Sequence, residues 1–314
     1  MLRAVVTGVL AALALAGCVQ LTAHGASTPR GRVVIAAGGT TGVYYAYAQA
    51  LAHELEARAP DLRVDVVATS GSMENLRKVD DGEATLAFTA ADAAAVATEG
   101  AAPFARRVPI TALARVYDDY LHVVVPASSG VRSIAQLSGR TVSIGPSASG
   151  TRLIAERLLG EREGKLHDVG LSLDASVAAL RDGSIAAFFW SGGLPTPGVE
   201  ALSREEPVRL LALDRLVDRL QARYGASYRA AAIPSGTYGL ARQVSTLAVP
   251  NLIVAPAGAD AALIRLVVAT LFERRAAIAR AVPAAVALDR RAAIETAPVP
   301  LHAAALRWFR DTKP

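Results

Sequence analysis

Two segments, Leu121-His122-Val123-Val124-Val125-Pro126 and Leu247-Ala248-Val249-Pro250-Asn251-Leu252-Ile253-Val254, set the architecture of the chain. Each is an apolar run rich in β-branched residues, the pattern of a buried strand. Each falls where the β/α rhythm of the chain changes unit, and no Gly/Ser linker stands at either place. Paired extended segments of this kind predict an α/β protein with two αβ lobes joined by hinge strands. Lobe 1 then comprises residues 32–120 plus 250–314, and lobe 2 residues 121–249. A cleft lies between such lobes, which close about the hinge.

Outward from these segments the rhythm is regular. Val33 to Ala37 reads as a buried strand, followed by the turn Gly38-Gly39-Thr40-Thr41-Gly42. A helix from Tyr44 to Arg58 repeats apolar residues at three- and four-residue spacing, and Pro60 ends it. Leu62 to Val67 and Ala84 to Phe88 read as strands, with helices from Met73 to Val79 and Ala91 to Thr98. After residue 126 come a strand at 141–145, helices at 152–159 and 174–181, strands at 185–190 and 208–211, and a helix at 214–223. Asp260 N-caps a long helix through Arg280, and Pro300 to Arg310 is a terminal amphipathic helix. Alternation of this kind predicts a parallel sheet.

The N-terminus reads as a targeting segment. Arg3 supplies a positive start, Ala4 to Ala16 is apolar but too short to span a bilayer, and Leu15-Ala16-Gly17 leads into Cys18. This resembles a bacterial lipobox, with residues 1–17 as a lipoprotein signal peptide and Cys18 as the lipidation site. Cys18 is the chain's single cysteine, which excludes a disulfide framework and a thiolate zinc site. Residues 18–31 read as a flexible tether. The expected localisation is extracytoplasmic, anchored to a bacterial membrane through acylated Cys18.

Composition bounds the rest. The chain has 314 residues, 52% of them hydrophobic, with a net charge of +5. That suits a well-packed body and excludes disorder. Mean hydropathy is +0.33, but no second stretch of about twenty uncharged apolar residues follows the N-terminus. The basic pI of about 9.6 does not point to nucleic acid. Arg residues are interspersed with acids, and no run of five basic residues or aromatic interleaving appears.

Two Gly- and hydroxyl-rich loops precede helices. Gly38 to Gly42 lacks the Gly-Lys-Ser/Thr of a P-loop and the spacing of a dinucleotide fingerprint. Ser147-Ala148-Ser149-Gly150-Thr151 repeats its logic in the second half, and Ser70-Gly71-Ser72 with Asn75 is a third such turn. Free N–H groups at helix starts suit a carboxylate, although N-capping alone would also explain Ser149 and Thr151. Catalytic motifs are absent: there is no G-x-S-x-G, no H-E-x-x-H and no paired-carboxylate motif. The five His residues are scattered, and His122 and His53 read as structural. Asp118-Asp119 reads as a solvated approach to the strand. Neither a metal nor a cofactor is expected.

Taken in order, these blocks resemble the TAXI family of TRAP-transporter solute receptors. The resemblance runs through Gly38-Gly39-Thr40-Thr41-Gly42-Val43-Tyr44-Tyr45, Gly71-Ser72-Met73-Glu74-Asn75-Leu76, Ile134 to Gly145 and Ser149-Gly150-Thr151. It continues through Ile233 to Tyr238, Thr246 to Asn251 and Pro300 to Phe309, covering about residues 32–310. The resemblance implies a bilobed periplasmic-binding-protein fold, type II-like, that is not an enzyme. It also implies delivery of a small carboxylate solute, glutamate or 2-oxoglutarate or similar, to TRAP permease membrane subunits. By position it implies ligand-binding roles for Gly39, Thr40, Thr41, Tyr44, Ser72, Asn75 and Asp92 in lobe 1, and for Ser149, Gly150 and Thr151 in lobe 2. Where the family often has Gln-Ser-Asp this chain has Ala90-Ala91-Asp92, so two polar contacts are missing. Two other readings stand beside this one: an exported ligand sensor or adaptor using the same cleft, and an exported serine hydrolase with Ser149 as nucleophile.

Overall fold

The computed structural model describes residues 29–160, 166–225 and 227–312. The signal segment, Cys18 and most of the tether lie outside the described residues. None of the described helices is long and apolar enough to cross a membrane.

The first half of the sheet is built from β1 (Gly31–Ala36), β2 (Leu62–Val67) and β3 (Leu86–Ala90). Between them run α1 (Val43–Arg58) and α2 (Ser72–Asp80), and α3 (Ala91–Glu99) follows. β1 pairs in parallel with both β2 and β3. β3 is buried along its whole length because helices cover both faces. Leu86 and Phe88 face α1 and helices from the end of the chain, whereas Ala87 faces α2 and α3. Those later helices are α8 (Ala261–Glu273), α9 (Arg275–Ala281) and α10 (Ala303–Asp311).

The second half is built on β5 (Thr141–Ser143), β6 (His167–Val169) and β7 (Ala187–Gly192), again parallel. Around them lie α4 (Gly150–Leu159), α5 (Leu173–Arg181), α6 (Pro197–Glu205) and α7 (Asp214–Tyr224). Short strands β8 (Val208–Leu210) and β9 (Arg229–Ile233) complete it.

The halves are one continuous sheet because two long strands pass through both. β4 (Ile110–Pro126) and β10 (Val244–Pro256) lie side by side and antiparallel, from Ala248 opposite Tyr120 to Pro256 opposite Ile110. The strand order is β2-β1-β3-β10-β4-β7-β5-β6, with β8 beside β4 and β9 beside β10. The same strands feed separate cores. On β4, Leu113, Val116 and Tyr117 pack with α1 and α8, while Leu121, Val123 and Val125 pack with α4 and α7. Helices lie on both sides of this sheet, which makes the layering mixed α/β.

Several sequence expectations need correction. The sheet is mixed, not wholly parallel, because chain segments that cross between halves in opposite directions must pair antiparallel where they meet. β4 begins at Ile110, eleven residues before the apolar run that announces it. The long helix expected from Asp260 through Arg280 breaks at Arg274, although Asp260 does cap it, accepting from the amides of Ala262 and Leu263. β6, α6 and β9 were not foreseen: β9 is Arg-Ala-Ala-Ala-Ile, which carries no strand signal.

Candidate functional site

Four helices begin at one place. α1 and α2 start there from the first half, α4 and α5 from the second, and their N-terminal loops line a cavity of about 70 Å³. That volume holds a few waters or a compact solute rather than a drug-sized molecule.

The β1–α1 loop contributes Gly38, Gly39, Thr41 and Gly42. Gly42 is the N-cap of α1 and supplies no side chain, so the first amides of the helix keep their donors free of a cap. In the β2–α2 loop, Gly71 caps α2 at φ 120°, a conformation side chains avoid. Glu74 reaches back to the Ser70 amide at 2.8 Å, which stabilises the loop and leaves the Ser72 and Met73 amides without a partner among the described residues. Ser72 Oγ accepts from the Ala90 amide at 3.1 Å, tying the start of α2 to the end of β3.

In the second half, Ser149 caps α4. Its hydroxyl accepts from the Arg152 amide at 3.0 Å and donates to the Pro146 carbonyl at 2.7 Å. The amides of Gly150 and Thr151 have no partner among the described residues. Thr151 Oγ1 accepts from the Ser191 amide at 3.1 Å, fixing α4 to the end of β7. The α5 start adds Ser172, Leu173 and Asp174, and the β7 end adds Trp190, Ser191 and Gly192.

The halves touch around the cavity. The Thr41 hydroxyl donates to Asp174. The Glu74 amide donates to the Ala148 carbonyl at 3.0 Å. A Cβ built on Gly150 would lie 2.9 Å from Ser72 Oγ, so only glycine permits this approach of α4 to α2 without displacement.

The cavity wall is formed by Tyr44, Tyr117 and Asp119. Tyr44 donates to Asn251 Oδ1 on β10, and its oxygen lies 3.4 Å from Ser72 Oγ. Burial, reinforced by the nearby Asp119 carboxylate, holds the Tyr44 and Tyr117 phenols well above their ordinary pKa. Asp119 is only 4% exposed and its Oδ1 has no hydrogen-bond partner. Burial pushes its pKa up to about 8, and Asp118 and Asp92 add to the rise. The Asn251 amide and Ser191 hydroxyl lie close enough to oppose that rise, yet neither closes an aligned bond. No Arg, Lys or His lines this cavity among the described residues.

Seven of the ten sequence-derived ligand residues line the cavity: Gly39, Thr41, Tyr44, Ser72, Ser149, Gly150 and Thr151. Three lie elsewhere. Thr40 is exposed and lies outside the lining. Asn75 is buried under the β2–α2 loop, donating to the carbonyls of Ala37 and Phe88 and accepting from Thr69, so its amide organises the loop. Asp92 is sealed between the halves, accepting from Tyr228 at 2.9 Å with Arg157 at 3.9 Å. The reading of Asp118-Asp119 as a solvated pair is wrong for Asp119. Strand alternation sends Asp118 outward to a fork with Arg115, at 2.7 and 2.8 Å, and Asp119 inward. Tyr117, Asp119, Asp174, Trp190 and Ser191 were missed. Recognising β4 upstream of residue 121 would have given the first two. His122 is structural: Nδ1 meets the Tyr120 and Trp190 carbonyls and Nε2 meets Tyr238.

Comparison with known proteins agrees with this architecture. The sequence model of the NMT1-like family matches residues 35–312. Among solved structures, one protein from Bordetella bronchiseptica RB50 is 19% identical, with 90% of each chain covered and a TM-score of 0.52. The alkanesulfonate-binding protein SsuA from Xanthomonas axonopodis pv. citri, bound to MOPS, is 17% identical, covering 91% of this chain and 86% of that one, with a TM-score of 0.50. The ligand-binding component of an ABC-type import system from Staphylococcus aureus, with zinc bound, is 11% identical, covering 81% and 79%, with a TM-score of 0.50. At these identities the likeness is one of fold.

Proposed function

The chain belongs to the NMT1-like family, and from this premise we propose that it is an extracytoplasmic solute receptor. Its lobes, residues 32–120 with 250–314 and residues 121–249, close on a small organic acid or amino acid and present it to a membrane permease. The observation that carries this reading is the convergence of four helix N-termini, two from each half, on one cavity. Free amides and positive helix ends favour a carboxylate without a cationic side chain. A ligand that touches both halves binds the closed form better and so drives closure.

The resemblance to TAXI receptors supports a TRAP-type permease as the partner, and Cys18 supports attachment to the membrane by lipid. Binding rather than acyl transfer is favoured at Ser149. Its hydroxyl is engaged as donor and acceptor in the cap of α4, which leaves it unactivated.

Thermal unfolding in the presence of a panel of dicarboxylates and amino acids tests the receptor reading. At least one member should raise the melting temperature without being consumed. A flat panel from folded protein overturns it. The anchor is tested separately: Cys18→Ser should move the expressed protein from the membrane pellet to the soluble fraction, and unchanged pelleting refutes lipidation.

A further inference from the structure

The cavity contains a feature that an acid receptor does not need. Among the described residues, its wall holds a buried carboxyl group, Asp119, with one oxygen unpartnered, and no side-chain cation. A dicarboxylate placed here would find helix-end amides for one carboxylate, but its second would share the enclosure with Asp119 and Asp174. There it would meet carboxyl groups in place of cations, and only an Asp119 that keeps its proton tolerates it. Asp119 meets the cost of burial by holding its proton in the free protein, and a cationic group of the ligand draws out the ionised form in its place.

Four neighbours shape the wall around Asp119. Asn251 accepts from Tyr44 through its oxygen, and its amide nitrogen, without a partner among the described residues, lies near Asp119. Ser191 lies beside the carboxylate with its hydroxyl unpartnered, while its amide is spent on Thr151. Tyr44 and Tyr117 pack edge to face along the same wall, their centroids 6.3 Å apart. Aromatic faces next to a buried carboxylate stabilise an ammonium group.

We infer that Asp119 is the anchor for a solute ammonium group, and that the site takes a compact zwitterion, an amino-acid-like molecule with one carboxylate at the α2 and α4 N-termini. The inference rests on the receptor reading and narrows its ligand class. The carboxylate end meets the free amides of Ser72 and Gly150. The ammonium end meets the Asp119 carboxylate where it lines the cavity and draws on the Asn251 and Ser191 groups as secondary supports.

The test uses matched solutes that differ in the amine: L-glutamate against glutarate, and L-alanine against lactate. Affinity is read by calorimetry on the unaltered protein and on Asp119→Asn. The amine-bearing member of at least one pair should bind roughly 10- to 100-fold more tightly, the range for a hydrogen bond to a charged group. Asp119→Asn should erase that advantage while the amine-free member binds as before or better. Equal or weaker binding of the amine-bearing members to the unaltered protein overturns the inference alone, and requires no variant to fold. An advantage that survives intact in folded Asp119→Asn overturns it too. No response to any of the four, with every other small acid also silent, removes the receptor reading and the inference together.

Discussion

The Thr41 hydroxyl donates a hydrogen bond to the Asp174 carboxylate, although 133 positions separate the two residues in the chain. Thr41 belongs to the loop before α1 in the first half, and Asp174 to the first turn of α5 in the second. The bond ties the two halves together across the cavity, and in the proposed closure it latches the closed form.

Breaking this latch should leave folding intact and weaken retention of solute. Asp174→Ala is expected to lower affinity by roughly 2- to 10-fold, the worth of one partly exposed hydrogen bond. The loss should appear in the dissociation rate, because opening becomes easier while encounter is unchanged. Stopped-flow release and small-angle scattering check it. An unchanged dissociation rate would show that the contact contributes nothing to closure.

Gly150 gives a sharper separation of binding from stability. It is the first residue of α4, where alanine is conformationally acceptable and removes freedom from the unfolded chain. Its conflict is across the cleft, where a Cβ would stand 2.9 Å from Ser72 Oγ. Gly150→Ala should keep or slightly raise the melting temperature of the free protein and weaken solute binding. Adding Ser72→Ala removes the nearer atom and should restore part of the affinity, since the Ser72 Cβ at 3.3 Å remains. A single variant that binds like the parent would mean that the halves adjust without cost.

What the sequence disclosed of this site followed from backbone chemistry. Gly-Gly-Thr-Thr-Gly, Ser-Gly-Ser and Ser-Gly-Thr between a strand and a helix announce helix N-termini, and all three line the cavity. The same signal cannot say which way a polar residue on the following turns points. Asn75, one turn into α2, faces backbone carbonyls, and Asp92, on α3, faces Tyr228. Asp119 was hidden for another reason. Arg115 and Asp118 interrupt the apolar alternation of β4, so its first half does not read as a strand until β10 is seen beside it. The strand order could not be read at all, because the crossing of β4 and β10 pairs residues more than 120 positions apart.

The Asp92–Tyr228 contact is a structural tie, and Tyr228→Phe tests it. Asp92 is buried, which raises its pKa, while Arg157 and the Tyr228 hydroxyl hold that rise in check. Removing the hydroxyl leaves the carboxylate oxygen with Arg157 at 3.9 Å and no close donor. The expected cost is about 1–3 kcal/mol of unfolding free energy. Urea unfolding measures it. A loss of solute affinity with unchanged stability would instead place Asp92 at the ligand.

Stability should depend on pH through buried groups of opposite sense, with Asp119 and His122 the most strongly shifted on either side and Asp92 adding to the sense of Asp119. Asp119 titrates near pH 8 in the folded protein and in the ordinary carboxylate range once unfolded. Between those values the folded state holds a proton that the unfolded state has released, so stability falls as pH rises. His122 runs the other way. Burial lowers it to about 4 from 6.5, and the unfolded state binds the extra proton between those values, so stability is lost as pH falls through that window. The two slopes oppose each other from about pH 4 to 6.5, leaving Asp119 dominant from 6.5 to 8. Urea midpoints should therefore decline from pH 6.5 to 8 in the unaltered protein. In Asp119→Asn the decline should flatten over that window, and the acid-side loss from His122 should become steeper to the eye. A variant that declines as steeply as its parent would show that Asp119 is ionised in the folded state well below pH 8.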